Sequence, residues 1–282
     1  MRLKGKRAII TGGTGMIGRT IADFFIREGC HVLLSGRSIE KLNSIKKEFN
    51  SSLLEVFPAD VSEIKDVQKL IQEAGRIFPA IDSLVTAAGV YGEIGSLEQC
   101  DAERWFDAIK TNLLGTMYSV KLALPLLKQG VHPKIITFAG GGECPLENFS
   151  AYASSKGAVL RFTETVAHEL KNVGISINAI SPGLVNSGFV ENLIKAGSDR
   201  AGRQKYEEAL QQVAGTGSVV SPEKAAALAV FLASEESNGL TGKNISAVWD
   251  NWQEIPKHIK EIQNSDIYNW RRVKPKDRGY DW

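Results

Sequence analysis

Thr11-Gly12-Gly13-Thr14-Gly15-Met16-Ile17-Gly18 joins a β-branched run, Arg7-Ala8-Ile9-Ile10-Thr11, to an amphipathic stretch from Gly15 to Glu28. In that stretch Ile17, Ile21, Phe24 and Phe25 share one helical face. The turn holds G-x-G-x-x-G at Gly13, Gly15 and Gly18, between a strand and a helix, which is the context that gives the motif its meaning. Glycines admit positive φ and a close backbone approach. The helix start then offers free N–H groups and the positive end of its dipole to an anion such as a pyrophosphate. Gly12, Gly13, Thr14, Gly15, Met16, Ile17 and Gly18 are therefore candidate dinucleotide-binding residues.

The same alternation continues down the chain. Strands are predicted at His31–Leu34, Leu54–Phe57, Ser83–Thr86, Lys134–Phe138, Ile175–Ile180 and Asn244–Val248. Helices are predicted at Ile39–Phe49, Val61–Phe78, Ala102–Gly130, Ala151–Lys171 and Ser221–Ala233. Ser221-Pro222-Glu223 makes a good helix start, with a capping hydroxyl, proline at the first position and an acid in the first turn. Strict β/α alternation predicts an α/β fold: a doubly wound parallel sheet of about seven strands with helices on both faces, a Rossmann fold. Crossovers should be right-handed. No linker or internal repeat divides the chain, so one catalytic domain is expected over 1–248.

Two stretches depart from the rhythm. Residues 188–217 are polar and glycine-bearing with a helix inside, and follow the sixth strand at the edge where ligands bind in such sheets. They are read as a substrate lid. Its Lys195, Arg200, Arg203 and Lys205 suit an anionic substrate, or else form a solvated face balanced by Glu207 and Glu208. The stretch 249–282 is read as an aromatic arm carrying Trp249, Trp252, Trp270, Trp282, Tyr268 and Tyr280. It packs on its own subunit or a partner, or reaches a substrate pocket.

Bulk composition is that of an ordinary globular protein. The chain has 282 residues, 43% hydrophobic and 23% charged, with 34 basic and 32 acidic residues for a net charge of +2. That balance gives no pull toward nucleic acid or an anionic membrane. Cys30, Cys100 and Cys144 are scattered, with no C-x-x-C, so no metal site and no disulfide framework is expected. No signal-like core follows Met1, and no apolar run nears the roughly 20 residues that span a bilayer. A cytoplasmic protein is expected.

Two further elements carry chemistry. The second strand ends in Ser35-Gly36-Arg37-Ser38, without an acid. A carboxylate there would bond the ribose hydroxyls of NAD, whereas a guanidinium holds the 2′-phosphate of NADP. Arg37 favours NADP, with NAD possible. Tyr152-Ala153-Ser154-Ser155-Lys156 places a phenol and an ammonium four apart on one helical face. Such a lysine lowers a phenol pKa by its charge, and the phenol then moves a proton at a carbinol or carbonyl oxygen.

Taken in order over about residues 5–247, these elements resemble the short-chain dehydrogenases/reductases, chiefly their compact subfamily. Asp60-Val61 is similar to the family pair that contacts adenine. Ala87-Ala88-Gly89 is similar to its N-A-G element beside the cofactor. Asn112 in Thr111-Asn112-Leu113-Leu114-Gly115 matches the asparagine that organises a water relay to the lysine. Tyr152 and Lys156 match the catalytic pair. Pro182-Gly183-Leu184-Val185-Asn186-Ser187 resembles P-G-x-V-x-T, in which Val185 and Ser187 meet the nicotinamide carboxamide. The resemblance implies an NAD(P)-dependent oxidoreductase acting on a small molecule, as a homodimer or homotetramer. Helices four and five would supply its contact face.

Three departures accompany the resemblance. Met16 stands where the compact subfamily has glycine, and the spacing T-G-x-x-G-x-x-G is similar to an extended subfamily that modifies nucleotide sugars. Where the family carries its serine the chain reads Phe138-Ala139-Gly140-Gly141-Gly142. The hydroxyl that bonds the substrate oxygen is therefore missing, a loss worth about 10²–10³ in rate. Backbone N–H groups of Ala139, Gly140 and Gly141 are candidate replacements, with Ser150 and Glu143 as nearby alternatives. Third, Trp249-Asp250-Asn251-Trp252 replaces the usual ending. Besides hydride transfer between nicotinamide and a carbonyl or hydroxyl group, two functions remain open. One is a nucleotide-sugar oxidoreductase, epimerase or dehydratase with bound cofactor. The other is a cofactor-binding sensor or scaffold without turnover.

Overall fold

In the computed structural model, which describes residues 1–141, 143–185, 188–217 and 219–282, seven parallel strands form one sheet in the order β3-β2-β1-β4-β5-β6-β7. They are β1 (Arg7–Thr11), β2 (His31–Gly36), β3 (Leu54–Pro58), β4 (Ser83–Thr86), β5 (Lys134–Phe138), β6 (Ser176–Ser181) and β7 (Asn244–Ser246). Strand alternation builds two cores. Ala8 and Ile10, Val32 and Leu34, Ile136 and Phe138 face one layer, while Ile9, Leu33 and Ile135 face the other. Burial on both faces explains why the strands read as continuous apolar runs.

The first layer holds α1 (Met16–Arg27), α2 (Ile39–Phe49) and α10 (Pro222–Ala233). The second holds α3 (Ile64–Ile77), α5 (Gly115–Leu127) and α6 (Ser150–Leu170). Several helix ends follow their side-chain chemistry. Ser38 accepts from Lys41 N at the start of α2, and Asp101 accepts from Arg104 N at the start of α4 (Ala102–Ala108). Ser221 accepts from Glu223 N at α10. At α1 the cap is Gly15, which makes no side-chain bond.

Some boundaries differ from the sequence reading. Asp60 Oδ1 accepts from both Ser62 N (2.9 Å) and Ser62 Oγ (2.7 Å), so Asp60-Val61-Ser62 forms a turn and α3 starts at Ile64. Ser246 Oγ accepts from Val248 N and Trp249 N, which ends β7 at Ser246. The long helix predicted from Ala102 to Gly130 is two helices, α4 and α5, joined by a π-type turn over Ile109–Leu114. The second helix stops at Leu127, and beyond it Gly130 packs so closely on Ile81 O that a Cβ would lie 2.2 Å away.

The stretch after β6 contains α7 (Gly188–Ala196), α8 (Ser198–Ala201) and α9 (Arg203–Val213). The stretch after β7 turns back along the sheet edge through α11 (Ile255–Gln263). There Tyr268 O accepts from Asn244 N of β7, and Asn269 donates to Gly242 O (2.7 Å) and Glu164 (3.1 Å). Trp252 is buried against Phe231, with ring centroids 5.6 Å apart. Among the described residues no helix is long and apolar enough to cross a membrane.

Candidate active site

The sheet order reverses between β1 and β4, and the loops after these strands diverge into a cleft. Gly12 closes it from below. Its φ is +70°, and a Cβ there would lie 2.4 Å from Ala88 N, so only glycine lets the β1 loop rest on the β4 loop. Above it, α1 begins without a side-chain cap and without an acid in its first turn. Its first N–H groups are left for a ligand, and nothing there repels an anion.

A cavity of about 320 Å³ runs from this helix start to Tyr152 and Lys156. Gly12, Thr14, Gly15, Met16, Ile17 and Gly18 line one end, with Arg37, Asp60 and Val61. Ala87, Ala88, Gly89, Gly140, Pro182, Tyr152 and Lys156 line the other. Arg37 is exposed and makes no ion pair among the described residues. Uncapped N–H groups, a glycine floor and an unpaired guanidinium fit a dinucleotide with its diphosphate on α1.

Lys156 comes from α6, one turn after Tyr152. Its Nζ donates to Phe138 O (2.8 Å) and lies 5.9 Å from the centroid of the Tyr152 ring. Burial without an acidic neighbour pushes Lys156 down to about 8. Burial raises the Tyr152 phenol, and the neighbouring Tyr91 phenol raises it further. No lowering of the phenol by Lys156 accompanies this, in contrast to the sequence-based expectation, and Tyr152 is held in its neutral form.

Asn112 is fully buried and does not line the cavity. It projects from the π-type turn, a local expansion that recurs at functional sites. Its Oδ1 accepts from Val90 N (2.8 Å), and its Nδ2 donates to Val90 O (2.9 Å) and Ser155 Oγ (2.8 Å). Ser155 Oγ donates in turn to Tyr152 O (2.7 Å). Asn112 thus fastens the loop after β4 to the helix that carries Tyr152 and Lys156.

The glycine stretch after β5 divides sharply. The Ala139 methyl packs in a small core cluster with Leu160 and Ala179, away from the cavity. At Gly140, a lining residue, a Cβ would come 2.9 Å from Pro182 Cδ. At Gly141 φ is +92° and a Cβ would come 2.6 Å from Tyr152 Cε1. Gly142 lies outside the described residues. The neighbouring alternatives are engaged elsewhere: Ser150 Oγ accepts from Trp105 Nε1 (3.0 Å), and Glu143 accepts from Ser181 and from Asn244 (2.6 Å).

The chain matches the family model described as enoyl-(acyl carrier protein) reductase over residues 14–247. It is 30% identical to D-beta-hydroxybutyrate dehydrogenase of Cupriavidus necator over 256 residues, 88% of this chain and 96% of that one. It is also 30% identical to 3beta-hydroxysteroid dehydrogenase 2 of Eggerthella lenta, over 86% of this chain and 94% of that one. Its structure resembles actinorhodin polyketide ketoreductase with NADPH, with a TM-score of 0.76 and 25% identity, covering 86% of this chain and 95% of that one.

The chain belongs to the short-chain dehydrogenase/reductase family. Like its relatives it is an NAD(P)-dependent oxidoreductase that transfers hydride at a carbonyl or hydroxyl group. Not every residue expected from the family pattern reaches the cavity. Gly13 packs on Leu34, Gly183 sits under Val248 and Val220, and Val185 is buried in a bridge to Val220. Ser187 lies outside the described residues. Three of the four basic residues singled out in 188–217 are ion-paired: Arg200 with Glu93, Arg203 with Glu207 (2.8 Å) and Lys205 with Glu208 (2.9 Å). No residue after Val248 lines the cavity.

The sequence reading missed Gly36, Ala59, Val90, Thr111, Phe138, Gly188, Phe189 and Asn192 as lining residues. It also missed an aromatic cluster around the Tyr152 phenol. Tyr91 stands edge-on to Tyr152 with centroids 4.9 Å apart, Phe149 is 5.3 Å from Tyr91, and Phe189 is 4.2 Å from Tyr91 and 5.8 Å from Tyr152. No short motif joins residues so far apart in sequence. The one available signal was the aromatic content of Val90-Tyr91-Gly92 just past Gly89.

Proposed function

We propose that the enzyme is an NADPH-linked reductase of an uncharged, largely apolar ketone, with Tyr152 as the acid. The observation that carries this reading is one continuous cavity with the uncapped start of α1 and Arg37 at one end and Tyr152 and Lys156 at the other. A bound nicotinamide dinucleotide supplies the hydride. Tyr152, held neutral by burial, gives its proton to the oxygen of the substrate as it becomes an alcohol. Lys156 holds the ribose end of the cofactor and repays the proton, while Asn112 keeps the post-β4 loop and α6 in register. Gly140 offers a backbone N–H on the opposite wall.

The apolar substrate follows from the surroundings of Tyr152. Tyr91, Phe149, Leu146 and Phe189 crowd it, and the lid cations are mostly paired. That pairing weakens the nucleotide-sugar alternative. A sensor without turnover has no use for the Tyr152–Lys156–Asn112 arrangement. Arg37 would bond the 2′-phosphate of NADP, as no acid stands at the end of β2 to favour NAD. The family suggests a homodimer or homotetramer through α4–α6, where Phe106 is left exposed.

The cofactor reading is tested by Arg37→Glu with matched NADPH and NADH titrations. The ratio of kcat/KM for NADPH over NADH should drop by about 10–100-fold, the worth of a charge-assisted pair. An unchanged ratio would remove Arg37 from cofactor choice.

A further inference from the structure

We propose that Tyr91 supplies the second hydroxyl of the site, donating a hydrogen bond to the substrate oxygen beside Tyr152. The proposal rests on the reading of Tyr152 as the acid.

The β5 loop cannot furnish this hydroxyl. A side chain at 139 points into the core, one at 140 meets Pro182, and one at 141 meets the Tyr152 ring from a positive-φ backbone. The serine is therefore more than absent: the packing refuses it. Ser150 is bonded to Trp105, and Glu143 to Ser181 and Asn244.

Tyr91 packs against Tyr152 and against Phe189, which lines the cavity. Its ring is edge-on to Tyr152, at 74° and 4.9 Å between centroids, and is wedged by Phe149 and Phe189. The residue before it, Val90, is clamped through both its N–H and its C=O by Asn112. The same asparagine is bonded to Ser155 on the helix of Tyr152, so one buried amide fixes the two phenols relative to each other.

The Tyr91 hydroxyl is also uncommitted. It makes no hydrogen bond to any described residue, and its oxygen is not among the polar atoms sealed from solvent. Phenols packed among apolar side chains usually find a partner. Burial pushes Tyr91 up to about 12, so it remains a protonated donor throughout the working pH range. Phe189 of the lid touches both rings, so a ketone that reaches both hydroxyls takes the place of that side chain. In reduction the carbonyl carbon accepts hydride from the nicotinamide dinucleotide, the oxygen takes the Tyr152 proton, and Tyr91 keeps its own.

The experiment compares wild type, Tyr91→Phe, Tyr91→Leu and Tyr152→Phe with saturating NADPH. The probe is whichever of ethyl acetoacetate, p-nitroacetophenone and a 3-ketosteroid the wild type reduces fastest. NADPH affinity, read by fluorescence, reports an intact fold. Tyr91→Phe should lose about 10²-fold in kcat, as removal of one oxyanion donor does, with NADPH affinity unchanged. Tyr91→Leu should lose only a few-fold more. If Tyr91→Phe retains more than half the wild-type kcat, or changes KM alone, while Tyr152→Phe is inactive, the inference fails and the Tyr152 reading stands. If Tyr152→Phe remains active, or the wild type reduces no probe, both fall together.

Discussion

The two ends of the cavity are built on different principles. The end at the glycine loop is shaped chiefly by backbone: Gly12 lies against Ala88, and α1 begins uncapped. The substrate end is made of side chains from distant loops, with Tyr91, Phe149, Tyr152 and Phe189 packed ring against ring. A backbone cradle has one steric solution and leaves a spaced motif in the sequence. An aromatic cluster has many solutions and leaves none. Cofactor class is therefore readable here, whereas the contacts around Tyr152 come together only in the fold.

The contrast can be broken most forcefully at Gly12. In Gly12→Val the new side chain occupies a left-handed backbone and overlaps Ala88, so NADPH affinity should fall by about 100-fold or more, with a lowered Tm. Fluorescence titration and a thermal melt check this. Normal affinity would mean that the β1 and β4 loops are not locked together.

The boundary between the two ends is Lys156, and pH sharpens it. Pushed down to about 8, Lys156 carries its charge below that pH and loses it above, while Tyr152 stays protonated. Reductive kcat/KM should therefore be level up to about pH 8 and then fall by about tenfold per unit. Stability should move the other way. The unfolded chain keeps this proton up to the ordinary lysine value, while the folded chain releases it near 8, so the group's contribution rises with pH between the two. A kinetic profile without an alkaline limb before pH 10 would contradict this assignment.

The smallest effect is expected outside the cavity. Asn269 accepts from buried Lys243 (2.7 Å) and donates to Glu164 and Gly242 O, tying the last stretch of chain to α6 and the β7 edge. Asn269→Ala should cost about 1–3 kcal/mol in urea unfolding and leave kcat within twofold. A large loss of kcat with normal stability would give this stretch a role in the site.

Much of the fold was legible in the sequence. Ile39–Phe49, Ser83–Thr86 and Lys134–Phe138 appear with the bounds that period and capping residues indicate. The π-type turn at Asn112 was hidden, because one widened turn barely disturbs a helical apolar pattern. The partner of Arg200 was invisible as well, whereas Glu208, which pairs with Lys205, stands three residues away and was among the balancing acids read from the sequence. Residues 188–217 look basic in sequence, yet Glu93 lies far away along the chain and meets Arg200 only in the fold. The aromatic arm is held differently within the chain. Of its indoles Trp252 alone is buried within this chain, and polar bonds through Asn269 fasten the segment.

The account depends on proton donation by the Tyr152 phenol to a ketone reduced at the far end of the dinucleotide cleft. Stopped-flow reduction by wild type and Tyr152→Phe, each loaded with NADPH to equal occupancy, measures that step alone. Equal NADPH affinity with a hydride-transfer rate lower by about 10²–10⁴-fold is the predicted result. A rate within threefold of wild type would contradict it.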